Sequence, residues 1–120
     1  MNNESKTKKY DLEDRTLAFA KNVRILLRKM KKSIDNMDDM KQVARSSGSV
    51  GANYREANDA LSKKDFLMRI KICRKEAKET VYWLDILSVQ DELEKEKNNL
   101  RKEASELMKI FGAILHKSEN

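Results

Sequence analysis

The stretch Gln42–Ala57, QVARSSGSVGANYREA, constrains this chain more than any other. It holds two of the three glycines in a protein that has no proline. Placed on a helix at about 100° per residue, it separates into two faces. One carries Ala44, Ser47, Gly48 and Gly51, with Val43, Val50, Tyr54 and Ala57 on its shoulder. The other carries Gln42, Arg45, Ser49, Asn53 and Glu56, spaced i, i+3, i+7, i+11, i+14. A face of small side chains lets a neighbouring helix come close, so this segment belongs inside a helical assembly. Each glycine costs about 1 kcal/mol relative to alanine in a helix. Close helix contact offsets that cost, and the alternative is a kink near Gly48 and Gly51.

Apolar residues recur at helical spacing elsewhere, which makes the chain all-α. Leu12, Thr16, Phe19, Ala20, Val23, Leu26, Leu27 and Met30 form one stripe on a helix over about 11–32, with Asp11 as its N-cap. A second helix begins within SIDNMDD and covers about 38–61. The third covers about 63–87 and opens at Ser62-Lys63-Lys64-Asp65, a capping box with aspartate in place of glutamate. Its core stripe is Phe66, Ile70, Cys73, Ala77, Val81 and Leu84. The fourth, about 90–115, opens at Ser88-Val89-Gln90-Asp91 and faces inward with Leu93, Leu100, Ala104, Leu107, Met108, Phe111, Ile114 and Leu115. Lys97 interrupts that face, which leaves the first turns free to project beyond the bundle. The connections are short and favour antiparallel neighbours, hence an up-down-up-down four-helix bundle. The bundle spans about 11–116, with a flexible basic arm at 1–10 and a frayed tail at 117–120. A length of 120 residues supports one core, not two. Disorder is the competing reading of a 38% charged chain, and the regular stripes argue against it.

Three surface patterns bear on function. Basic residues line the third helix at Lys64, Lys71, Arg74, Lys75 and Lys78, and the first at Lys21, Arg24, Arg28 and Lys31. They are either solvated faces, with cations placed favourably at a helix C-terminus, or phosphate-facing patches. The net charge of +6 fits an anionic partner without requiring one. Met68, Ile72, Trp83 and Ile86 make a second apolar stripe on the third helix. An isolated bundle needs one stripe per helix, so this one covers either a subunit interface or a wide intramolecular core. The polar stripe of Gln42, Arg45, Ser49, Asn53 and Glu56 mixes residues that do not favour exposed helices. It is read as hydrogen bonding between helices or subunits, with nucleic-acid contact by Arg45 and Asn53 as the other reading.

Catalytic chemistry is hard to assemble from these residues. His116 is the only histidine, so no triad or histidine acid–base pair is available. Cys73 falls on the core stripe and reads as a buried thiol rather than a nucleophile. Glu76 with Glu79, and Asp91, Glu92, Glu94 and Glu96, read as surface charge, since a di-iron site would want Glu-x-x-His pairs. No glycine-rich phosphate loop follows a strand. The expectation is a non-enzyme without metal or cofactor. A single cysteine excludes an internal disulfide and suits a reducing compartment. No secretory h-region or run of about 18 apolar residues is present, so no membrane segment and a cytoplasmic location are expected.

The opening stretch also resembles the signature of a known group. Gln42 through Ala57 is similar to the motif of the four-helix bundle family encoded by intervening sequences in bacterial large-subunit rRNA genes. The accessory variability protein of diversity-generating retroelements is similar too. The resemblance continues through Ser62-Lys63-Lys64-Asp65-Phe66, like the family's Ser-x-x-Glu-Phe, and from Glu76 to Trp83-Leu84, with Asp11-Leu12-Glu13 fitting at the start. Gly51 departs from a frequent proline, and Asp65 from glutamate. The resemblance implies an up-down bundle assembled as a ring-like homopentamer, described as ribosomal-protein-like. In the retroelement branch it implies binding of nucleic acid and of a reverse transcriptase.

Taken together, the expected function is a non-enzymatic homo-oligomer that binds nucleic acid, RNA favoured over DNA. The expected phosphate contacts are Arg24, Arg28, Lys71, Arg74, Lys75 and Lys78, with Met68, Ile72, Trp83 and Ile86 at the oligomer interface. Few aromatics are free to stack on bases, so recognition should be weakly sequence-specific. The alternative is a protein–protein scaffold or accessory subunit that never touches nucleic acid. A hydrolase using the acidic residues is the third reading.

Overall fold

The computed structural model describes residues 4–118, with side chains described from Leu12 onward. The apolar stripes fold as four helices: α1 Glu4–Lys29, α2 Ile34–Asn58, α3 Lys63–Ile86 and α4 Glu94–Ser118. A 3₁₀ turn at Asp91–Leu93 leads into α4, and no strand occurs among the described residues.

Contacts between distant residues set the topology. Asn58 donates to the Glu13 carboxylate at 2.6 Å and Arg24 donates to the Ala44 carbonyl at 3.0 Å, so α1 and α2 run antiparallel. Arg69 donates to Asn53 Oδ1 at 2.9 Å and Thr80 to Ser46 Oγ at 2.8 Å, which does the same for α2 and α3. Arg74 lies over Gly112, and Arg101 pairs with Asp85 across α3 and α4. Arg15 meets Glu103 and Lys29 meets Glu96, which returns α4 to α1. Every adjacent pair is antiparallel and the ring of contacts closes. This is an up-down-up-down four-helix bundle, in which α1 and α3 stand diagonally opposed.

All four stripes converge on one core. Phe19, Val23 and Leu26 enter from α1, and Val43 and Val50 from α2. Ile70, Cys73, Ala77 and Leu84 enter from α3, and Ala104, Leu107 and Phe111 from α4. Each large side chain buried there contributes about 1.5–3 kcal/mol relative to exposure. Tyr54 tilts against Phe111 with ring centroids 5.8 Å apart.

Helix boundaries depart from the sequence reading in several places. Because α1 begins at Glu4, Asp11 lies inside the helix rather than at its cap, and most of the expected arm is helical. Residues 1–3 and 119–120 lie outside the described residues, while α4 extends to Ser118. The start of α2 moves forward to Ile34, since Asn36 accepts the Ser33 backbone N–H at 3.1 Å and caps the helix earlier. Ser62 caps α3 as expected, its Oγ accepting from the Asp65 N–H at 3.1 Å. Ser88 does not cap α4. Gln90 stands before the 3₁₀ turn instead, its side chain donating to the Lys29 carbonyl at 3.4 Å.

The entry of α4 does not project beyond the bundle. Leu93 is buried, and Lys97 reaches back to the Leu87 carbonyl at 2.7 Å. That carbonyl lies just past the end of α3, where helix ends leave acceptors unpaired. A lysine on the inner face therefore joins two helices rather than separating them. The glycines of α2 do not interrupt it either, because the helix runs unbroken from Ile34 to Asn58. Gly51 faces Thr16 and Gly48 faces the Arg24 guanidinium, so the small-residue face is where α1 comes close.

Candidate nucleic-acid interface

Lys71, Arg74, Lys75 and Lys78 recur at i, i+3, i+4, i+7 on α3, a spacing that puts them on one side of the helix. The structure gathers all four around a shallow groove toward α4, closed on the far side by Leu115. Arg74 lies across Gly112, where a Cβ would stand 3.7 Å from its Nε. A glycine there keeps the floor low. Lys109, exposed on α4, lines a separate depression with Arg101, Lys102 and Glu106. None of the four α3 cations has a hydrogen-bond or ion-pair partner among the described residues. Such a cluster of unneutralised charge is what a polyanion would need.

Arg24 and Arg28 do not join this groove. They sit on α1, diagonal to α3, and Arg24 turns toward α2. There it donates to the Ala20 and Ala44 carbonyls, both at 3.0 Å. One donor is thus tied to its own helix and the other holds α1 against α2. Arg28 remains exposed on a separate surface.

The polar stripe of α2 and the second apolar stripe of α3 flank a different groove, between α2 and α3. Arg45 reaches across it to Glu76 Oε1 at 3.3 Å and Glu79 Oε1 at 3.0 Å, and Gln42 accepts from Arg45 at 3.4 Å. Asn53 donates to Ser49 at 2.9 Å and accepts from Arg69. Glu56 is exposed and lines a depression with Asp59, Asp65, Leu61 and Met68. Within the chain, then, Arg45 and Asn53 bond helix to helix. Among the apolar residues, Met68 and Ile86 are 52% and 44% exposed. Ile72 is half-buried, and Trp83 packs against the core.

Glu76 is a correction. Read as surface charge, it is buried at 8% exposure, and its Oε1 finds no hydrogen-bond partner among the described residues beyond the Arg45 ion pair. Its position on the α2-facing side of α3 places it beside the buried Ser46–Thr80 hydrogen bond.

The family model for the 23S rRNA-intervening sequence protein matches residues 8–113. The chain belongs to that family. A solved member of the S23 ribosomal protein family from Bacteroides thetaiotaomicron, described as a protein of unknown function, shares 31% identity with it. That match covers 91% of this chain and 98% of the other, with a TM-score of 0.78. No curated protein matches the chain.

For this intervening-sequence family member, the other candidate chemistries are easily placed. Cys73 is fully buried, and desolvation pushes its thiol up to about 12, away from thiolate chemistry. Among the described residues, no group of three or more histidine, cysteine or carboxylate side chains is placed to hold a metal ion. None of the described helices is long and apolar enough to cross a membrane. The Asp85 carboxylate raises the Arg101 guanidinium above its ordinary value through their hydrogen bond. Sequence reasoning missed Leu115 and Gly112 beside the basic stripe, because which α4 residues face α3 is set only by packing. It also passed over Tyr82, although its spacing of i+4 from Lys78 was available.

Proposed function

We propose that this protein binds nucleic acid, RNA favoured, through the groove between α3 and α4, without catalysing a reaction. The observation that carries this reading is the convergence of Lys71, Arg74, Lys75 and Lys78 on one groove, free of acidic partners among the described residues. Phosphates entering it would release condensed counterions, so affinity would be salt-dependent and largely indifferent to sequence. Arg24 and Arg28 take no part at this groove. Assembly is through the α2/α3 face, where Met68 and Ile86 leave apolar surface exposed beside Ile72 and Trp83. The family resemblance supports a ring of five copies, and a reverse transcriptase as partner where the gene adjoins a retroelement.

The same exposed apolar surface favours a second reading, a protein–protein scaffold with merely solvated cations. Equilibrium binding of an RNA oligonucleotide between about 50 and 200 mM salt separates the two. Steep weakening with salt, lost in Arg74→Glu/Lys78→Glu at unchanged helicity, is the expected result. Absence of binding, or binding indifferent to salt, overturns the phosphate reading.

A further inference from the structure

The basic stripe of α3 does not end at Lys78. Tyr82 follows at i+4, so Lys71, Lys75, Lys78 and Tyr82 occupy one outer line of the helix at i, i+4, i+7, i+11. That line spans about 16 Å. Tyr82 is 59% exposed, far more than a core aromatic. It is not loose, because its ring meets Trp83 edge-on, with centroids 5.1 Å apart and planes at 78°. Trp83 in turn packs on the core, so the exposed ring is braced from behind. The two carboxylates nearest Tyr82 on α3 are already paired: Glu79 with Arg45 at 3.0 Å, and Asp85 with Arg101. Asp85 has Arg101 to itself, whereas Glu79 shares Arg45 with Glu76 and is held toward α2 rather than along the lysine line.

Cations in line with a braced, accessible aromatic face are the two parts of a single-strand binding surface. The cations track the backbone, and the ring stacks on a base regardless of its identity. In a duplex the bases are already stacked on one another and cannot reach a side chain lying on a convex helix. We infer that the ligand of this surface is single-stranded nucleic acid, with Tyr82 as the stacking residue at the end of the α3 phosphate track. The inference rests on the phosphate-binding reading above and narrows it to unpaired strands.

The test uses the full chain with four probes of equal length: single-stranded RNA, DNA of the same sequence, an abasic phosphodiester strand, and duplex RNA. The expected result is that Tyr82→Ala and Tyr82→Leu weaken binding of an unpaired strand about five- to a hundredfold, whereas Tyr82→Phe does not. Binding of the abasic strand and the duplex should be unchanged by any of the three. Trp83, the chain's only tryptophan, lies against Tyr82 and should lose fluorescence with base-bearing strands but not with the abasic one. The DNA arm tells which polynucleotide is preferred, and Tyr82-dependent binding of either supports the inference. If all four probes bind alike and Tyr82→Leu changes nothing, stacking is overturned while the phosphate groove stands. If none binds the unmodified protein, both fall.

Discussion

Gly51 of α2 lies so close to Thr16 of α1 that a Cβ on the glycine would stand 2.9 Å from the threonine Oγ1 and 3.1 Å from its Cβ. Thr16 is buried and β-branched, and its hydroxyl donates to the Glu13 carbonyl at 3.0 Å, so it cannot swing aside cheaply. Gly51→Ala should therefore destabilise the fold by about 1–2 kcal/mol, overpacking outweighing the gain in helix propensity. Gly48→Ala meets only the flexible end of Arg24, at 3.1 Å, and should fall within about 0.5 kcal/mol of the parent. Urea unfolding of the two variants gives the order.

Arg45 and Glu76 form the second testable pair. Removing the guanidinium by Arg45→Met leaves a buried carboxylate without its ion pair, at a cost of about 1–3 kcal/mol. Adding Glu76→Met should recover much of the loss, because an apolar pair replaces an orphaned charge. A double-mutant cycle by chemical denaturation measures the coupling, and simple additivity would contradict it.

Arg24 should behave as a structural residue. Arg24→Ala removes its bonds to Ala20 and Ala44 and should lower stability by about 1–2 kcal/mol while leaving the salt dependence of RNA binding intact. Lys75→Ala should do the reverse, with little effect on stability and a salt slope shallower by about 0.7 for a single strand. Equal effects on the slope would return Arg24 to the interface.

Self-association through the α2/α3 face is read best from Met68 and Ile86, since both are exposed and neither is buried in the core. Met68→Glu/Ile86→Glu should reduce the sedimentation mass to that of one 14.0 kDa chain with helicity retained. Trp83→Glu is a poorer probe, because it would also disturb the core. An assembly that keeps its mass in the double variant does not use this face.

Cys73 links stability to alkaline pH. Its thiol is raised from an ordinary value of 9.0 to about 12 by burial, so the folded state holds the proton more tightly than the unfolded chain. The stabilisation is fully present below the unfolded value and is lost as pH rises from about 9 toward 12. Cys73→Ala should flatten that part of the pH–stability curve. A thiol reagent at pH 8 should label the native protein slowly and the urea-unfolded protein at once.

What the sequence by itself determined is whatever repeats along one helix. The spacing of Phe19, Val23 and Leu26, or of Leu100, Ala104, Leu107 and Phe111, is local information, and burial followed it. The clustering of Lys71, Arg74, Lys75 and Lys78 was legible for the same reason, and the absence of proline left long helices as the natural outcome. Family membership rested on the α2 signature and held over residues 8–113.

Tertiary structure alone decided how those helix faces meet. Arg24 and Arg74 look alike in sequence, but one finds carbonyls of its own helix and of α2 while the other lies open beside Gly112. Glu76 has the composition of a surface residue, and only the approach of α2 buries it and supplies Arg45. Lys97 seemed to spoil an apolar face until the end of α3 presented the Leu87 carbonyl to it. The small face of Gln42–Ala57 showed that some helix must come close, and the bundle made that helix α1, with Thr16 against Gly51. Periodicity is carried by the chain, whereas the partner across each groove lies tens of residues away and is set by packing.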